Sequence, residues 1–140
     1  MTVAKAWWRY CAMQPHERLK AWAAAHQFFL KVHRASDGWP KAERYELTSQ
    51  VRRAAFSVPA NIAEGASRSG PREFRHFLDQ ARGSLAEVSY GLLVAKELGY
   101  LSEEAWAELE RMRDESSRLV WGLLSAMSLR AQALPTRRRG

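Results

Sequence analysis

The 140-residue sequence has a single cysteine, Cys11, which cannot form an intramolecular disulfide. A lone cysteine fits a reducing compartment, so we expect a cytoplasmic protein. No apolar run approaches the ~20 residues that a membrane-spanning helix needs, so we expect no membrane association. The first residues, MTVAKAWWRYCAMQ, lack a continuous apolar segment and a small-residue cleavage site, and therefore do not predict a secretory signal.

The residue patterns of common metal sites and enzymes are also missing. The four histidines are scattered and no His-Glu-x-x-His motif occurs, which excludes the usual zinc spacings. A di-iron bundle needs two Glu-x-x-His pairs, and Glu73 with His76 supplies one. No glycine-rich phosphate loop is present, and Cys11 has no evident oriented base beside it. We therefore predict a protein that is not an enzyme and binds no cofactor or metal.

Acidic residues are outnumbered, since 15 Asp and Glu face 22 Lys and Arg, for a net charge of +7. The excess is uneven: residues 130–140 carry +4 and residues 1–14 carry +2, whereas residues 15–129 carry +1. Within the body, residues 52–82 carry +3 and residues 97–115 carry −5. A basic tail and one basic face suit a polyanion or an acidic partner surface, although a solvated surface with a floppy tail accounts for them equally well.

Apolar residues recur at helical spacing in four stretches, and no alternating strand pattern occurs. The first helix is predicted from about Pro15 to Ala35, the second starts near Lys41, and the third follows Pro71. Ser102 is expected to cap the fourth. The third helix carries a sustained heptad of apolar residues, namely Phe74, Leu78, Ala81, Leu85, Val88, Leu92 and Ala95. The fourth presents a similar face, namely Ala105, Leu109, Met112, Ser116, Leu119, Leu123 and Ala126.

Steps of four and three describe helices that pack nearly antiparallel, and short connections make neighbouring helices antiparallel. The predicted fold class is therefore all-α, an antiparallel up-down-up-down four-helix bundle over residues 15–134. An N-terminal extension, residues 1–14, precedes it, and a basic C-terminal tail, residues 135–140, follows it. Trp106 and Trp121 lie off the apolar faces, so they either form an interface between copies or are partly buried at the bundle's edge.

The stretch SVPANIAEGASRSGPREF, residues 57–74, forms the corner between the second and third helices. Pro59 has no N–H, so a helix that continues through it is expected to bend. The apolar stripe nevertheless continues past the proline, which predicts a kink at residues 57–59 and one more turn. Ser57 is expected to cap the freed amides, and Gly65 to end the helix in the left-handed conformation.

Polar residues around this corner allow two interpretations. In one, Arg53, Asn61, Glu64 and Glu87 satisfy one another's hydrogen bonds and hold the kink. In the other, arginines near the start of the third helix, where positions 72, 75, 79 and 82 share one side away from the apolar seam, form a phosphate-binding patch. We assign the first role, that of a structural corner, to Arg53, Asn61, Glu64 and Glu87 together with Pro59 and Gly65. The residues assigned to nucleic-acid binding are Arg68, Arg72, Arg75, Arg82, Arg137, Arg138 and Arg139. No surface combining aromatic and basic residues is evident, so the protein is expected to bind nucleic acids of different base sequence alike.

The segments QVRRAAFSVPANIAEGASR and EFRHFLDQARGSLAEV resemble the four-helix-bundle proteins encoded within intervening sequences of large-subunit ribosomal RNA genes. Accessory variability determinants of diversity-generating retroelements are similar bundles. The positions that agree with the family pattern are Gln50, Arg53, Ser57, Pro59, Asn61, Ile62, Glu64, Gly65, Arg68, Phe74, Gly83, Ser84, Leu85 and Glu87. The Trp-rich extension and the PTRRRG tail depart from that pattern.

The resemblance implies a small bundle without enzymatic activity. Its retroelement branch implies a ring-shaped homopentamer that binds RNA or DNA and a reverse transcriptase. We therefore expect an oligomeric nucleic-acid-binding accessory protein. The alternative is a structural or protein-interaction oligomer with no nucleic-acid role.

Overall fold

The structure, a computed structural model, describes residues 15–135, and these form four α-helices and no β-strand. The helices are α1 (Lys20–Ser36), α2 (Leu47–Ala66), α3 (Pro71–Glu97) and α4 (Glu103–Ala133). Short 3₁₀ helices at Pro15–Arg18 and Lys41–Glu43 precede α1 and α2. The prediction of an all-α chain with four helices is confirmed. In this part of the chain no helix is both long and apolar enough to cross a bilayer.

Two helices begin later than the sequence predicts. The first turn after Pro15 is a 3₁₀ helix, and the extended backbone of Leu19 separates it from α1. Likewise the 3₁₀ turn at Lys41 is followed by α2 only at Leu47. There the Glu43 carboxylate accepts a hydrogen bond from the Leu47 N–H at 3.2 Å, so a side chain four residues upstream satisfies one of the free amides at the helix start.

The ends of α3 and α4 follow the sequence signals closely. Pro71 occupies the first turn of α3 after an extended Gly70. Ser102 accepts a hydrogen bond from the Ala105 N–H at 3.1 Å, which confirms its predicted capping role. Gly99 closes the end of α3 with φ of 82°, a conformation that costs glycine little.

The four helices enclose one core. Helix α1 packs on α2 and α4, and α3 packs on the same two helices, whereas α1 and α3 make no close backbone contact in the described part. Six of the seven predicted heptad positions of α3 are buried, and Phe74 packs against the core as a half-buried residue. The heptad prediction is confirmed.

The buried face of α4 differs from the predicted one in its second half. Leu109 and Ser116 are buried as predicted, but beyond them the buried residues are Val120, Leu124, Met127 and Ala131. The predicted Leu119, Leu123 and Ala126 are only half-buried beside the core. A straight helix has 3.6 residues per turn, so a stripe drawn with a 3.5-residue period drifts around it, and the 31-residue α4 is long enough to show that drift.

Side chains link α2 to its neighbours along its length. Arg52 donates to Ser36 Oγ at 2.8 Å, to the His33 carbonyl at 3.2 Å and to Asp37 Oδ1 at 2.7 Å, which satisfies groups at the C-terminal end of α1. On the other side Gln50 donates to Glu87 of α3 at 3.2 Å. Arg52, part of the basic sequence segment, is therefore already paired.

Candidate nucleic-acid interface

Pro59 lies inside α2, which runs without interruption from Leu47 to Ala66. The helix continues past the proline as the sequence predicts, while the predicted bend stays a prediction. The prediction that Gly65 ends the helix in the left-handed conformation is wrong. Gly65 is a buried helical residue, and Gly99 is the one residue with positive φ in the described part. Gly65 instead permits close packing, because a Cβ at this position would lie 2.6 Å from Phe74 Cδ2 and 2.9 Å from Phe77 Cβ.

Asn61 and Ser57 form the polar contact of the corner. Asn61 Nδ2 donates to the Ser57 carbonyl at 2.8 Å and to Ser57 Oγ at 2.9 Å. Ser84 Oγ of α3 donates to the same Ser57 Oγ at 2.8 Å. Ser57 therefore joins two helices and does not cap amides as predicted.

The prediction that Arg53, Asn61, Glu64 and Glu87 satisfy one another is also wrong. Glu64 pairs with Arg68 at 2.8 Å, and Glu87 accepts from Gln50. Arg53 is exposed and bonds to none of the other three. The residues predicted to form one network therefore make three separate contacts, because their side chains leave α2 and α3 in different directions.

We expect Asn61→Leu to lower the free energy of unfolding by about 1–2 kcal/mol. Leucine removes two hydrogen bonds and leaves the half-buried Ser57 oxygens with fewer donors. Urea denaturation measures the change. An unchanged midpoint would show that the Asn61 contacts do not stabilise the corner.

The arginine face of α3 borders a groove against the last turns of α4. Arg72, Arg75, His76 and Asp79 line one side of this groove of about 450 Å³, and Ala131 and Gln132 line the other. Positions 72, 75 and 79 thus share one side of α3, as the sequence predicts. We call this the α3–α4 groove.

The four predicted arginines differ in their contacts within the described residues. Arg68 pairs with Glu64 and lies over the Phe77 ring, 5.2 Å from its centroid. Arg82 pairs with Asp79 at 3.3 Å. Arg72 donates to the Ala131 carbonyl at 3.4 Å, and Arg75 has neither an ion pair nor a hydrogen bond there. Unpaired positive charge is therefore concentrated on Arg72 and Arg75.

Local electrostatics favour an anion beside these two residues. Arg72 stands in the first turn of α3, where the helix dipole is already positive and only Glu73 offsets it. Cations there disfavour the helix, whereas a bound phosphate would satisfy both the guanidinium groups and the free amides. Arg137, Arg138 and Arg139 lie outside the described residues, but their chain leaves the described part at Pro135, four residues after Ala131 of the groove.

An aromatic residue beside this basic surface escaped the sequence analysis. Trp121 of α4 is 54% exposed, and the Arg82 guanidinium lies over its ring, 4.5 Å from the centroid. Because Asp79 both lines the α3–α4 groove and pairs with Arg82, the stacked pair adjoins the groove. The expectation that no surface combines aromatic and basic residues is therefore wrong. Trp121 stood out in the sequence only as a tryptophan off the apolar face.

At the opposite end of the bundle, the start of α4 is acidic. Glu103 and Glu104 open α4, and Glu103 pairs with Lys96 of α3 at 3.4 Å. The Tyr100 hydroxyl donates a hydrogen bond to Glu43 Oε1 at 3.1 Å. Desolvation raises the pKa of Tyr100, and the hydrogen bond and charge of Glu43 raise it further. The start of α4 therefore does not suit a polyanion.

The model of the 23S rRNA-intervening sequence protein family matches residues 17–122, more than half of the chain. No curated protein matches it. Because the family match takes in α1, α2, α3 and most of α4, the chain belongs to the 23S rRNA-intervening sequence protein family.

Proposed function

We propose that this protein is a non-enzymatic, oligomeric accessory protein that binds nucleic acid through phosphate contacts in the α3–α4 groove. One observation carries the proposal: Arg72 and Arg75 line an open groove at the start of α3 without a carboxylate partner of their own. Two unpaired guanidinium groups at the positive end of a helix form a ready phosphate site.

The geometry favours a polymer of phosphates over a single small anion. The groove is open along the surface, and the basic residues continue from Arg72 and Arg75 to Arg82 along one side of α3. The proposed tail contacts, Arg137 to Arg139, would extend the same track. Contacts of this kind read the backbone, so binding is expected to be sequence-tolerant.

Fluorescence anisotropy with labelled RNA and DNA at several salt concentrations tests this function. Each neutralised phosphate should contribute a log–log slope of about −0.7 to −0.9 with salt. Binding that weakens steeply with salt supports phosphate contacts. If neither polymer binds at low salt, the nucleic-acid role is wrong, and the alternative of a structural or protein-interaction oligomer remains.

A homo-oligomer, with a pentamer as the expected size, belongs to the same proposal. Its support is a groove of about 640 Å³ between the start of α2 and the end of α3, bordered by the exposed side chains of Tyr45, Tyr90 and Leu98. Tyr45 is 87% exposed and Tyr90 70%. Exposed aromatic clusters commonly form contacts between copies, and a ring would multiply a weak phosphate patch through avidity.

We expect Tyr90→Asp to shift the sedimenting species toward the 16.0 kDa monomer. The new carboxylate would be desolvated in the interface near Glu43, Glu46 and Glu87. Leu129→Asp, at an exposed position on α4, is the matched control and should leave the assembly intact. A wild-type protein that sediments as a monomer would refute the oligomer, whereas an oligomer indifferent to Tyr90→Asp would move the interface elsewhere.

Two further features complete the proposal. The helices are inferred to run up-down-up-down, because successive positions 50, 57 and 65 of α2 contact positions 87, 84 and 77 of α3 in reverse order. A bend of α2 at Pro59 accompanies this arrangement, since proline removes one helical hydrogen bond.

The proposed partner, beyond nucleic acid, is a retroelement reverse transcriptase in the cytoplasm. The resemblance to accessory variability determinants and the lone cysteine support this part of the proposal. A gene for a reverse transcriptase beside a near-duplicate variable repeat in the genomic neighbourhood would support it strongly. Failure of the purified protein to associate with such an encoded enzyme would refute it.

A further inference from the structure

We propose that the Arg82–Trp121 pair is a stacking platform for an unpaired base, so that the protein prefers single-stranded nucleic acid to duplex. This inference rests on the proposed function and names the substrate class of the same site. The aromatic ring would hold a base while Arg72 and Arg75 contact neighbouring phosphates.

The platform is held in an open position. Trp121 of α4 is more than half exposed, although tryptophan usually buries most of its surface. Arg82 of α3 lies over the ring, and the Asp79 carboxylate fixes its guanidinium at 3.3 Å. The two layers are therefore already in contact before a ligand arrives.

The chemistry of the pair matches that of a nucleobase. Every base has a flat π face, and both indole rings and guanidinium planes stack on such faces. The second tryptophan with a stacked cation, Trp106 under Lys96, lies beside Glu103 at the acidic start of α4 and lacks a basic track. Of these two pairs, Arg82–Trp121 alone combines stacking with phosphate contacts.

Position along the helix joins the platform to the groove. Arg75 and Arg82 are seven residues apart on the same side of α3, which is about 10 Å along the axis. Asp79 lies between them and belongs to both, because it lines the groove and pairs with Arg82. A strand following the groove therefore passes Trp121 within reach of its bases.

The preference for single-stranded nucleic acid follows from this arrangement. In a duplex the bases stack on one another inside the helix, so their faces are not available to a surface tryptophan. An unpaired strand can turn a base outward onto the ring without losing a base pair. Phosphate contacts alone would favour the duplex, which has the higher charge density, so a preference for the single strand would have to come from Trp121.

The test compares three labelled ligands of equal length by fluorescence anisotropy: oligothymidine, an abasic single strand and duplex DNA. Wild-type protein should bind oligothymidine most tightly. Trp121→Ala should weaken oligothymidine binding by about 5- to 150-fold, the range for loss of one stacked base, and leave the other two affinities unchanged. Trp121→Phe should restore part of the loss.

Phe56→Ala is the matched control, because Phe56 is 57% exposed and contacts Phe29 of α1, on another side of the bundle. It should alter none of the three affinities. Sedimentation of the Trp121 variants should match wild type, since a changed assembly would show that Trp121 contacts a second copy and would overturn the platform.

The outcomes separate the two proposals. If no ligand binds at low salt, the nucleic-acid function itself fails. If all three bind equally and substitution of Arg72 and Arg75 weakens all three, the phosphate function stands and the platform is wrong. An unchanged oligothymidine affinity in Trp121→Ala would likewise overturn the platform.

Discussion

Replacing Gly65 with alanine is expected to lower the free energy of unfolding by about 3 kcal/mol, the upper end of the usual range for overpacking. The added Cβ would lie 2.6 Å from Phe74 Cδ2 and 2.9 Å from Phe77 Cβ. The Phe74 ring can turn away, but the Cβ of Phe77 is fixed to the backbone of α3. The two helices must therefore separate or shift, which loosens the core that they share.

A second alanine substitution provides the control with the opposite sign. Gly122 lies inside α4 on an exposed surface, and a Cβ there would meet no atom within 4 Å. Gly122→Ala should raise the free energy of unfolding by about 0.5–1 kcal/mol, because alanine favours the helix over glycine. Both variants gain the same intrinsic propensity, so their difference isolates the helix contact.

Urea denaturation followed by circular dichroism measures both changes. The close approach of α2 and α3 would be disproved by a Gly65→Ala variant as stable as Gly122→Ala. Gly91 provides an independent check from α3, since a Cβ there would overlap Val51 of α2. Its alanine variant should lose stability in the same direction.

Most of the fold could be predicted from local signals in the sequence. The heptad of α3, Pro71 in its first turn and the Ser102 cap each depend on residues within a few positions of one another. Period and capping chemistry are therefore sufficient to predict them. The 3₁₀ turn at Lys41 was missed, because a single turn has the same apolar spacing in either helix type.

Contacts between helices were much harder to predict. The sequence marked Gly65 as a helix end, whereas the structure uses its missing side chain to admit Phe77 from α3. It also grouped Arg53 with Glu64 and Glu87, whose partners are in fact Arg68 and Gln50. Such pairings depend on rotation and register of whole helices, which periodicity constrains only to within about one residue.

The candidate site was predicted in part for the same reason. Spacing along α3 placed Arg72, Arg75 and Asp79 on one side, and they do line one groove. The stacking of Arg82 on Trp121 joins residues 39 positions apart and requires the packed α3–α4 pair. Helix periodicity alone therefore gave the basic face but not its aromatic neighbour.

Replacing Arg72 and Arg75 together with glutamine is expected to weaken nucleic-acid binding about 100-fold at low salt. A log–log slope of about 0.8 per phosphate corresponds to roughly tenfold in affinity for each contact between about 50 mM and 1 M salt. Two lost contacts should also flatten the salt dependence by about 1.6 units of slope. Anisotropy titrations at several salt concentrations measure both quantities.

Glutamine keeps most of the side-chain length and removes the charge, and both arginines are exposed, so the bundle should remain folded. The control variant, Arg53→Gln with Arg111→Gln, removes the same net charge at exposed positions outside the α3–α4 groove. If both double variants weaken binding equally, long-range charge and not the groove determines affinity. Deleting residues 136–140 should flatten the slope further without unfolding the bundle, because α4 already ends at Ala133. A groove variant whose slope equals that of wild type would contradict direct phosphate contacts at Arg72 and Arg75.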